Sequence, residues 1–248
     1  MDAFSLIMIL LGGLAGGFVT GLAGFGTGLT ALAFWLLVLS PTTASTLVVV
    51  CSVAAQSLTL HRIWHLIELR RVLPFVLPGL VGVPLGVLLL SQIDIKSFKL
   101  CVGSILIIYT VQSLFLKSGR TVIWGGRMAD GVIGFGGGVL GGLAGLSGPL
   151  PTMWANLRGW TKNQRRSVMQ GLNLTILIVV LITHALGGLI TEPLVNAAMI
   201  ALPGAGLGAG LGFIAYTRMN DTQFANIILA LLGLSGVFLI ASSFLAAV

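Results

Sequence analysis

Apolar residues in this chain come in long blocks separated by short polar clusters. The blocks run Phe4–Thr20, Leu29–Leu39, Thr43–Leu60, Val72–Leu90, Phe98–Leu116, Gly131–Gly145, Leu150–Leu157, Val168–Leu186, Pro193–Tyr216 and Phe224–Leu245. Most approach the roughly 20 helical residues that cross a hydrocarbon core of about 30 Å. None shows the ten-residue apolar–polar alternation of a membrane barrel strand. Because lipid leaves no backbone polar group satisfied outside a helix or a closed barrel, the pattern predicts an all-α integral membrane protein.

Two blocks, Leu29–Leu39 and Leu150–Leu157, are too short to cross comfortably. Each follows a glycine-rich break, Gly24-Phe25-Gly26-Thr27-Gly28 in one case and Gly145-Leu146-Ser147-Gly148-Pro149 in the other. A long segment, a break and a short segment predict a hairpin that enters the membrane and returns to its starting side. The distribution of basic residues supports that reading. With returning hairpins, Arg62, Arg70, Arg71, Lys117, Arg120, Arg127, Arg158, Lys162, Arg165, Arg166 and Arg218 share one side, and Lys96 and Lys99 the other. Basic loops favour the cytoplasm, so both termini face outward.

The composition agrees. Of 248 residues, 56% are hydrophobic and only 8% charged, against about 25% charged in a soluble domain. The net charge of +7 sits in short loops, where it sets topology rather than binding nucleic acid. Cys51 and Cys101 lie inside apolar blocks and read as small buried hydrophobes. Trp35, Trp64, Trp124 and Trp160 read as interfacial anchors. Asp2 is the only charged residue before the first block, which therefore lacks the basic flank of a signal peptide and reads as retained structure.

The two breaks also belong to an internal repeat. Gly21-Leu22-Ala23-Gly24-Phe25-Gly26 matches Gly142-Leu143-Ala144-Gly145-Leu146-Ser147, and Leu77-Pro78-Gly79 matches Leu202-Pro203-Gly204 in the same order. Each half, residues 4–116 and 128–248 of a single transmembrane domain, is a glycine-broken hairpin followed by three spanning helices. Three crossings are odd, so the two repeats are inverted, a pattern of secondary transporters. A short helix starting at a break presents unpaired N–H groups and a partial positive charge, which suits a small anion. Two such helices would aim at one shared site near mid-membrane. The expected substrate-binding residues are Gly24, Phe25, Gly26, Thr27 and Gly28, then Gly145, Leu146, Ser147 and Gly148. The intramembrane amides Gln56, Gln170 and Asn173 join them. Trp154 and Asn156 are weaker candidates, and Asp130 reads as a surface helix cap.

The run Gly16-Gly17-Phe18-Val19-Thr20-Gly21-Leu22-Ala23-Gly24-Phe25-Gly26-Thr27-Gly28 and its second copy resemble the sulfite exporter TauE/SafE family. The basic stretch Arg62–Arg71 and the helix Leu77–Gly86 fit the same pattern, and the resemblance covers essentially the whole chain. It implies a multi-pass cell-membrane transporter of a small sulfur-containing anion: sulfite, thiosulfate or an organosulfonate. A proton or a sodium ion is the coupling partner the sequence leaves open. No cofactor, metal cluster or nucleotide loop is expected. Two competing readings remain: a non-transporting membrane subunit, or a rhomboid-like serine protease, since Gly145-Leu146-Ser147-Gly148 spells a GxSG motif and His184 follows later.

Overall fold

The computed structural model describes residues 2–90, 95–115, 122, 124–144 and 147–245. Ten α-helices follow in chain order: α1 (Ala3–Ala23), α2 (Thr27–Trp35), α3 (Pro41–Ile63), α4 (Leu69–Leu90), α5 (Ile95–Phe115), α6 (Gly126–Ala144), α7 (Pro149–Leu157), α8 (Lys162–Leu186), α9 (Glu192–Arg218) and α10 (Asp221–Leu245). No strand occurs among the described residues. Each predicted block becomes one helix, and among the described residues six helices are long and apolar enough to cross a membrane. The chain is an all-α, multi-pass membrane protein. Lys117, Arg120, Gly145 and Leu146, and the side chains of Lys99 and Cys101, lie outside the described residues.

Local sequence chemistry sets the helix ends. Asp2 caps α1 by accepting from the Ser5 N–H, and Ser40 caps α3 by accepting from the Thr43 N–H with Pro41 in the first turn. Helix α1 stops at Gly24, whose φ of +84° only glycine adopts without strain, and its N–H closes on the Thr20 carbonyl at 2.8 Å. Gly26, at φ +103°, then turns the chain into α2.

The chain forms two compact units. The first comprises Met1–Val72 and Arg166–Met219, the second Leu73–Arg165 and Asn220–Val248. Each takes a hairpin from one half of the sequence and helices from the other. In unit 1, α2 runs back along α1. Thr27 pairs with Thr20 at the tip, Gly16 faces Thr27 and Ala31, and the Trp35 indole N–H donates to the Ile9 carbonyl at 3.0 Å. The long arm, at 21 residues, reaches about 31 Å and the returning arm, at nine, only about 14 Å. Trp35 is therefore wholly buried against Gly12 rather than at an interface. Trp64 and Trp124 are exposed, as anchors should be.

A glycine seam runs inside each unit. In unit 1, α1 and α9 run parallel. A Cβ at Gly13 would lie 2.5 Å from the Ala201 carbonyl oxygen, one at Gly17 2.2 Å from that of Ala205, and one at Gly208 2.1 Å from that of Leu14 and 2.8 Å from the Phe18 nitrogen. Unit 2 repeats this seam between α6 and α4. Gly134 meets the Phe75 oxygen at 2.3 Å, Gly138 the Gly79 oxygen at 2.0 Å, and Gly82 the Phe135 oxygen and Val139 nitrogen at 2.4 and 2.9 Å. The α1 residues Gly13, Leu14, Gly17 and Phe18 are thus replaced, in constant register, by Gly134, Phe135, Gly138 and Val139 of α6. That is the same register that aligns Gly21–Gly26 with Gly142–Ser147. Small residues let membrane helices approach this closely and exchange dispersion contacts, the main attraction left where lipid is as apolar as leucine.

Candidate functional site

In unit 1, Arg166 is wholly buried although it follows a basic cluster and reads from sequence as a loop residue. It lies in the second turn of α8, where one guanidinium nitrogen, Nη1, donates to the Leu22 carbonyl at 2.6 Å. The guanidinium stands 4.2 Å from the Tyr216 ring centre and 5.2 Å from that of Phe213 on α9. Its other two nitrogens, Nε and Nη2, are buried and have no hydrogen-bond partner. No buried acidic residue belongs to unit 1 among the described residues. A buried cation lacking both a counter-charge and two of its partners is costly to keep.

The hairpin tip closes on the same place. A Cβ at Gly24 would lie 3.4 Å from Gln170 Cβ and 3.7 Å from Arg166 Cγ, so both α8 side chains pass directly beside the break. No side chain caps the first turn of α2, which leaves that turn's N–H groups and dipole at the tip. Gln170 Nε2 donates to the Gln56 carbonyl at 2.8 Å and to Thr59 Oγ1 at 2.9 Å, which ties α8 to α3. Gln56 is also wholly buried, and both its amide oxygen and its amide nitrogen lack partners. Arg166 and Gln170 thus flank the break at Gly24, and Gln170 joins them to the Gln56–Thr59 stretch of α3.

The expected residues fare differently. Gly24, Gln56 and Gln170 are brought together. Phe25 is buried at the tip, and Asn173 is buried one turn beyond Gln170. The Thr27 hydroxyl is engaged with Thr20 and braces the hairpin. Gly26 supplies the turn, and Gly28 lets α2 approach Val48 of α3. Ser147 and Gly148 belong to unit 2, where Ser147 is buried and the Gly148 carbonyl accepts from the Thr152 hydroxyl at 2.7 Å. The tip of unit 1 is not central along its helices. It lies beside Arg166, one turn from the start of α8, toward the ends of α3 and α9 that carry Arg62 and Arg218.

Two further residues differ from expectation. Asp130 is buried at the foot of α6, where its carboxylate accepts from the Trp154 indole at 2.7 Å and pairs with Arg158 at 3.3 Å. Trp154 thus braces α7 against α6, and the Asn156 amide oxygen accepts from Arg165 at 2.8 Å. Sequence reasoning missed Arg166 altogether. The signal was present in the spacing of Arg166, Gln170 and Asn173, which places three polar groups on one face of an otherwise apolar helix.

The model of the sulfite exporter TauE/SafE family matches residues 9–239. The chain belongs to the TauE/SafE family. It is accordingly a membrane transporter of small sulfur-containing anions, and not an enzyme. No curated protein and no solved structure matches the chain. The GxSG motif of this TauE/SafE member has a packing explanation: Ser147 lies against Gly137, its carbonyl 3.2 Å from where a Cβ would stand. Ser147 and His184 also belong to different units.

Proposed function

We propose that this TauE/SafE transporter carries sulfite, thiosulfate or an organosulfonate by alternating access, and that the anion binds at the tip of the first hairpin. The observation that carries the site is Arg166: wholly buried, with two unpartnered guanidinium nitrogens and no buried carboxylate among the described residues of its unit. An anion there would supply the missing charge and the missing acceptors at once, turning a costly arrangement into a favourable one. Gln56, whose backbone carbonyl accepts from Gln170, has a free side-chain amide that would add a further donor. The uncapped start of α2 adds a dipole of the right sign.

The repeated glycine seam supports alternating access. Inverted repeats, the arrangement the odd number of crossings predicts, would give outward-open and inward-open states of similar energy. The basic end of unit 1 is then the cytoplasmic end.

The test is flux into proteoliposomes of the purified protein for sulfite, thiosulfate, sulfate and two organosulfonates, beside an Arg166→Met variant. Saturable flux of a sulfur anion by the parent and its loss in the variant are expected. Equal flux through both would remove the site.

A further inference from the structure

The hydrogen-bond inventory at Arg166 says more about the substrate than its charge alone. Thr59 Oγ1 donates into its own helix, to the Ala55 and Gln56 carbonyls. Toward Gln170 it can therefore act only as an acceptor, as can the Gln56 carbonyl. Both partners of the Gln170 amide thus require its NH2 group, which fixes the orientation of the amide. Gln170 Oε1 is left as a buried acceptor without a partner. The free amide of Gln56 contributes one more acceptor, Oε1, and one donor, Nε2, whichever way it is turned. The cluster thus offers donors from Arg166 Nε, Arg166 Nη2 and Gln56 Nε2. Against them stand two amide oxygens, Gln170 Oε1 and Gln56 Oε1, which a ligand carrying a hydrogen could satisfy.

A site for a fully ionised oxyanion has no use for acceptors, because sulfate and thiosulfate carry no hydrogen to give. Amide oxygens turned toward such a ligand repel it. The charge points the same way, since a single buried guanidinium balances one negative charge and a dianion leaves a second one uncompensated in a low-dielectric site. We infer that the site at Arg166, Gln56 and Gln170 takes a singly charged sulfur oxyanion that itself donates a hydrogen bond. Hydrogensulfite in its hydroxyl form, or a sulfonate bearing a hydroxyl or amino group, fits this description, and the doubly charged anions are rejected. This rests on the transport reading above and deepens it by naming the protonation state of the substrate.

The experiment compares proteoliposome uptake of four probes by the parent protein: sulfite, sulfate, methanesulfonate and hydroxymethanesulfonate. Hydroxymethanesulfonate should exceed methanesulfonate, its counterpart without the hydroxyl, by about tenfold or more, and sulfate by about 100-fold or more. At fixed total sulfite, uptake should fall as pH rises through the second ionisation of sulfurous acid. Methanesulfonate does not titrate there, and its constant uptake separates ionisation of the substrate from that of the protein. Gln56→Lys, which adds a second cation, should raise uptake of sulfate relative to hydroxymethanesulfonate. Uptake of sulfate equal to that of hydrogensulfite, or sulfite uptake that rises with pH, overturns the inference while loss of flux in Arg166→Met leaves the site standing. Unchanged uptake of every probe in Arg166→Met overturns both.

Discussion

Replacing Gly17 with alanine tests whether the glycine seam sets the fold. A Cβ there would lie 2.2 Å from the Ala205 carbonyl oxygen and 2.7 Å from the Ala205 Cα. Ordinary contact begins at 3.4 Å, so α9 must retreat by about 1 Å, and a backbone atom cannot rotate aside as a flexible side chain can. The retreat also disturbs Gly13, Gly21, Gly208 and Gly212, which share the seam. Overpacking of this kind costs roughly 1–3 kcal/mol. The better helix propensity of alanine returns up to about 1 kcal/mol, so net destabilisation is expected. Gly210 provides the control: it lies on α9 with nothing within 4 Å, so Gly210→Ala keeps the propensity gain without the clash. Reversible unfolding in mixed detergent, followed by tryptophan fluorescence, should show Gly17→Ala less stable than the parent and Gly210→Ala equal or better. Equal stability of the two variants would refute the packing argument.

Other outcomes follow from the same geometry. Arg166→Met loses a charge-assisted hydrogen bond and ring contacts but relieves the buried charge, so its stability should stay within about 2 kcal/mol of the parent. It should lose the stabilisation that saturating anion gives the parent, about 2.7 kcal/mol at 100 times the dissociation constant, as read by thermal unfolding with and without sulfite. Gly26→Leu forces a side chain onto a φ of +103° and within 2.9 Å of Val19. Flux should vanish while membrane insertion, checked by fractionation, persists. Asp130→Asn strands Arg158 and should cost about 1–3 kcal/mol in the unfolding assay, leaving sulfite binding to unit 1 intact.

The helices were legible because lipid forces hydropathy and helix length to coincide: Phe4–Thr20 became Ala3–Ala23, and Leu150–Leu157 became Pro149–Leu157. The returning hairpin was legible because Gly24 and Gly26 punctuate an otherwise unbroken apolar stretch. Depth was not. Hydropathy counts Arg166 with Lys162 and Arg165 as loop, whereas α8 carries all three as helix and turns the last of them inward. Trp35 misled for a related reason, since a nine-residue helix ends partway along its partner, where an indole meets protein rather than headgroups. Asp130 could not be recognised as buried without Trp154 and Arg158, which lie 24 and 28 residues away.

The most direct test of the central claim is isotope flux of sulfite through proteoliposomes holding either the parent protein or Arg166→Met, at matched protein content and verified folding. Saturable flux in the parent and none above empty vesicles in the variant is the predicted result. Undiminished sulfite flux in the variant would show that the anion does not depend on the buried guanidinium, and would contradict the account.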